Sequence, residues 1–144
     1  MNKQKGFTII ELIVVIAIIA VLAAIVLVNV TSYIAKGKVA AIKGNMATLT
    51  TNAAAYYDTH LSSFGGFSDD TGTGCAGPIN AAITNAAGTL SCAVKSSDNS
   101  AWCGCSTTPG DTLGNTFCVD STGVKKSQDA VCATICNATN GFCQ

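Results

Sequence analysis

The sequence has no arginine, one histidine and two prolines, and only 11 % of it is charged. With eight lysines balanced by eight acids and no arginine, no basic patch is dense enough to suggest nucleic-acid binding. The lone histidine, His60, supplies neither a Cys/His zinc pattern nor, without a recognisable nucleophile motif, a serine triad. The glycines form no phosphate-binding pattern. Aromatic residues make up 6 % and are scattered, Trp102 among them, so they read as core or surface rather than as a binding platform. The expectation is a protein that is not an enzyme and that carries no cofactor and no metal.

Apolar residues are plentiful but unevenly placed. Leu12 to Val28 is an uninterrupted run of 17 apolar residues, and Ile9 and Ile10 extend it backwards past Glu11. Beyond about residue 60 the chain turns to Ser, Thr, Gly, Asn and Ala, so the C-terminal core must be small and in need of extra support. All eight cysteines lie there: Cys75, Cys92, Cys103, Cys105, Cys118, Cys132, Cys136 and Cys143. An even number in a small domain after a membrane-type segment reads as a disulfide framework made outside the cytoplasm, with a metal cluster as the alternative. On the order of a hundred pairings are possible. Cys103 and Cys105 alternate, so on a strand they face one side and need separate partners.

The run follows a short polar leader, MNKQKG, with Lys3 and Lys5, which is expected to stay cytoplasmic. The run is longer than a usual signal-peptide core, no small-residue cleavage site follows it, and it is long enough to span a bilayer. Glu11 is the anomaly. A carboxylate inside an apolar span costs a few kcal/mol and is by default a functional candidate. Cutting the chain between Gly6 and Phe7 would create a free α-amino group close by to serve as its partner.

Residues 6–25, GFTIIELIVVIAIIAVLAAI, together with the basic leader, resemble the class III signal of type IV prepilins and type II secretion pseudopilins. The resemblance is specific over about 30 residues and holds beyond them only in outline. It implies that prepilin peptidase cuts after Gly6 and that Phe7 becomes the methylated N-terminal residue. It places the family's glutamate on Glu11, for pairing with Phe7 of a neighbouring subunit. It implies an α+β fold, a long N-terminal helix packed on a small antiparallel sheet, with the apolar half projecting. It also implies a C-terminal loop closed by a disulfide, which makes Cys143 to an earlier cysteine the expected bond. One departure is visible: relatives often carry a proline at the position of Val28, and no proline precedes Pro78 here.

The implied function is that of a structural subunit polymerising into an extracellular type IV pilus-like filament. Its partners would be other copies of itself, the peptidase, an assembly platform in the inner membrane and, before assembly, membrane lipid. It would sit in the cytoplasmic membrane with its N-terminus inside, then in a filament outside. Loss of the leader removes two lysines and leaves a net charge of about −2. Two alternatives stay open: a pseudopilin of a type II secretion or DNA-uptake system, and a single-pass anchored, cysteine-rich binding module.

The expected organisation is a leader over 1–6, a long helix over 7–60 with 7–30 as transmembrane segment and filament core, and a cysteine-rich domain over 61–144. Val39, Ile42, Met46, Leu49, Ala53 and Tyr56 recur at helical spacing and predict one buried stripe. Lys36, Lys38 and Lys43 would mark emergence from the bilayer. Residues 61–74, rich in glycine, predict a surface loop. Pro78 to Ala87 reads as a short helix stopped by Gly88. Strands are expected over Leu90–Lys95, Ala101–Ser106 and Thr116–Val119, and the Asp120–Gly123 turn leads into Val124–Lys126, for an antiparallel meander of three or four strands. Asp69, Asp70, Asp98, Asp111 and Asp120 match no standard calcium loop and read as solvated turn acids.

Overall fold

The computed structural model describes residues 6–144, apart from the side chains of Val28 and Asn29. The leader lysines and the packing of Val28 therefore lie outside the described residues. Helix α1 (Ile9–Thr59) is followed by α2 (Pro78–Asn85), β1 (Leu90–Val94), β2 (Trp102–Thr107), β3 (Thr116–Asp120), β4 (Lys125–Gln128) and the single turn α3 (Cys132–Ile135). The strands pair in the order β1-β2-β3-β4, antiparallel throughout. This is the pilin-like α+β architecture: a long apolar helix, a small antiparallel sheet and four disulfides. The chain divides into two compact units, one ending at Ile34 and one running from Ala35 to Gln144.

In the second unit the stripe read from the sequence is the buried face of α1. Val39, Ile42, Met46, Leu49, Ala53 and Tyr56 are all buried. The pleat divides the sheet's side chains between two cores. Trp102 and Val119 join the α1 stripe, with Leu90, Cys92, Val94 and Phe117 packed against it. Cys103, Cys105 and Cys118 point to the opposite face, where they cluster with Ile135 and Cys136. Gly104 lets helix and sheet approach: a Cβ there would lie 3.1 Å from Leu49 and 3.2 Å from Trp102.

All eight cysteines are paired. Cys75–Cys92 ties the segment before α2 to β1 on the helix-facing side. The other three fasten the C-terminal segment across the back of the sheet: Cys103–Cys136, Cys105–Cys132 and Cys118–Cys143. Cys132 and Cys136 thus bond to two positions on one strand rather than to each other.

Four expectations need correction. The 61–74 segment is not simply a surface loop: Phe64 and Phe67 are buried and pack edgewise and tilted against each other, Trp102 and Tyr56. Two large rings three residues apart outweigh the polar residues between them, because their burial dominates a core this small. Lys43, expected as a marker of the bilayer edge, is instead paired within the domain: its Nζ lies 2.6 Å from the Asp111 carboxylate, whose side chain is 7 % exposed. Nor is Asp120 solvated. It is buried and accepts hydrogen bonds from the Thr122 and Val124 N–H groups, the Thr122 hydroxyl and the Cys143 N–H, so one carboxylate shapes the β3–β4 turn and anchors the tail.

The fourth correction concerns the end of α2. Ala87, not Gly88, adopts the left-handed conformation, at φ 65°. The Gly88 N–H bonds to the Ile83 carbonyl and the Ala87 N–H to the Thr84 carbonyl, a Schellman closure. Glycine is needed at 88 for space: a Cβ would come within 2.9 Å of Ile83 and Ser106 and 3.0 Å of Ile42.

Candidate processing and assembly segment

The first unit contributes a short, chemically distinctive start to α1. Thr8 precedes the first helical residue and Glu11 is three residues further on. The Thr8 N–H and hydroxyl donate to Glu11 Oε2 at 2.9 and 2.8 Å, and the Glu11 N–H reaches Thr8 Oγ1 at 3.3 Å. This is a capping box: each side chain satisfies a backbone donor that the helix start leaves without a partner. The carboxylate also lies at the positive end of the helix dipole. Both bonds use the same oxygen, and Oε1 has no hydrogen-bond partner among the described residues. Glu11 thus has a partner at the helix start itself, besides any α-amino group, and Thr-x-x-Glu ahead of an apolar run is the local signal for it.

Before this cap, Gly6 and Phe7 are open to solvent, Phe7 with 86 % of its surface accessible. A Cβ on Gly6 would meet nothing within 4 Å. Among the described residues, no packing contact therefore requires glycine there. After the cap, Ile9 through Leu27 are all exposed. An 18-residue window has a mean hydropathy of 3.3 and no buried residue, so α1 is long and apolar enough to cross a membrane by length and composition. An apolar surface this large and unpacked needs lipid or another apolar partner.

Gly6, Phe7 and Glu11 thus lie together at the start of the first unit, whereas the eight cysteines all belong to the second. His60 joins neither group. It stacks on Tyr56, ring centroids 3.7 Å apart, with Nδ1 2.9 Å from the Tyr56 carbonyl oxygen.

A capped helix, long and apolar enough to cross a membrane, thus follows an exposed Gly-Phe step. Residues 1–27 match the prokaryotic N-terminal methylation motif, so the chain carries a type IV prepilin-like class III signal. No curated protein and no solved structure matches the chain.

Proposed function

We propose that the chain is the precursor of a structural subunit that polymerises through its apolar N-terminal helix into an extracellular type IV pilus-like filament. Prepilin peptidase removes residues 1–6 and methylates Phe7. The mature subunit is held in the cytoplasmic membrane by α1, N-terminus inward, until an assembly platform transfers it to the filament. There the apolar surface of α1 exchanges lipid for the helices of other copies.

The observation that carries this reading is the methylation motif over residues 1–27, set on a helix whose apolar surface is unpacked. Oε1 of Glu11, without a hydrogen-bond partner among the described residues, supports the next step. Glu11 can keep its cap through Oε2 while Oε1 receives the Phe7 α-ammonium of a neighbour. A pair of this kind sets register more surely than it adds stability. The four disulfides fit a domain that folds in an oxidising compartment outside the cytoplasm, as this topology requires.

Shearing the native host and recovering surface filaments built from this chain is the direct test. Recovery of the chain only in the membrane would refute the surface filament; a retained leader there would favour the anchored binding module, and a cleaved, methylated chain the pseudopilin.

A further inference from the structure

The unit from Ala35 to Gln144 carries two unmatched features, one beside each end of its part of α1. Beside Asp58 lies a groove of about 540 Å³, lined by Ala54, Tyr57, Asp58, Trp102, Thr122 and Phe142. Phe142 is 37 % exposed there. Beside Lys43 lies the β2–β3 loop, which presents Leu113 with 72 % of its surface exposed. At 1.5 Å per residue, Lys43 and Asp58 are about 22 Å apart along the helix.

The loop is not slack. The Thr108 N–H donates to the Asn115 carbonyl at 2.8 Å and its hydroxyl to the Gly114 carbonyl at 3.1 Å. The Leu113 N–H donates to Asp111, itself paired with Lys43. Gly114, at φ 138°, lies so close to Gln128 that a Cβ would be 2.5 Å from its backbone. An apolar side chain is therefore held outward on a rigid support. The two ends also differ in charge. Asp58 is exposed in the last turn of α1, where the helix dipole disfavours an anion, and it has no ion pair among the described residues. Lys38, near the Leu113 end of the helix, is likewise exposed and has no ion pair among those residues.

We infer that the groove receives the Leu113 loop of a second copy of this chain, with Lys38 of that copy on the side of Asp58. A knob at one end and a groove at the other form a heterologous contact, which repeats into an open array rather than closing as a dimer. This rests on the polymerisation reading and adds to it a contact between the disulfide-bonded bodies.

A photo-cross-linking amino acid at position 113 of the full chain, in the native host, tests it. Illumination of sheared filaments should give a ladder of oligomers, with the cross-link mapping to the peptide that holds Tyr57 or the one that holds Phe142. Cross-links elsewhere on the neighbour, or to a different molecule, overturn the groove contact while filament formation stands. If the wild-type chain forms no filaments, the polymerisation reading falls and the contact falls with it. Because Leu113 is exposed, Leu113→Asp should leave folding and leader removal unchanged but lower filament yield at least tenfold. Wild-type yield from that variant overturns the contact.

Discussion

Replacing Glu11 by glutamine and, separately, by alanine pulls apart two roles that fall on one side chain. Glutamine keeps an oxygen able to accept the Thr8 N–H and hydroxyl bonds, so the capping box survives while the charge is lost. Alanine removes both. Loss of the cap alone costs about 1 kcal/mol, roughly fivefold in an equilibrium. The proposed pairing with a neighbour's α-ammonium is a larger effect. Two charges about 4 Å apart attract by about 4 kcal/mol at an effective dielectric of about 20. Stranding one member of a buried pair costs about 3–5 kcal/mol. Glu11→Gln should therefore lower the yield of sheared filaments by more than about a hundredfold, close to the loss for Glu11→Ala. Both variants should reach the membrane fraction at wild-type levels, because the apolar run is untouched. Wild-type filament yield from Glu11→Gln, beside a defective Glu11→Ala, would show that assembly uses the cap and not the charge, and the register argument would fail.

Three further predictions concern the second unit. Ala87→Gly should raise its stability by about 1 kcal/mol, a melting shift of about 4 °C or more, because glycine takes the left-handed conformation without strain; Gly88→Ala, one residue on, should lower it by about 1–3 kcal/mol through overpacking. Equal melting temperatures for the two variants would contradict the assignment of their roles. The Lys43 ammonium, opposed by burial, holds the Asp111 carboxyl below its ordinary value. That contribution is present above the ordinary carboxylate pKa of about 4 and is lost as pH falls through the lower folded value. Lys43→Ala should thus cost about 2 kcal/mol at pH 7, less than for a fully buried pair because Lys43 is 26 % exposed, and the difference should shrink below about pH 4 in urea titrations. A difference that does not change with pH would exclude the pairing. Replacing Cys118 and Cys143 together by alanine should cost about 2–4 kcal/mol and expose the tail to limited proteolysis; unchanged protection would mean that the Asp120–Cys143 hydrogen bond and the other two staples suffice.

What the sequence disclosed depended on whether the signal was local. The α1 stripe from Val39 to Tyr56 and an antiparallel meander of three or four strands were legible because side-chain period and turn residues are written along the chain. The pairing of Cys103 with Cys136 and of Cys105 with Cys132 was not, because it depends on how the tail crosses the sheet. Sequence spacing showed only that Cys103 and Cys105 share a face. Phe64 and Phe67 were hidden by the glycines around them, which mark a loop without saying whether the loop is buried. Lys43 and Asp111 meet from distant parts of the chain, so a charge at the end of an apolar segment looked like a membrane marker. At Ala87 and Gly88 the residue alone misled, since glycine there answers a need for space rather than for a positive φ. The Thr8–Glu11 box is the opposite case. It was fully local, but the cost of a carboxylate in an apolar run directed the reading to a partner outside the helix.

The central claim is that the chain is processed at Gly6 and polymerises. Intact-mass measurement of the subunit recovered from sheared filaments tests it most directly. The expected species begins at Phe7, carries one additional methyl group and retains four disulfides. A filament or membrane species that retains residues 1–6, or an unmethylated chain cut elsewhere, would contradict it.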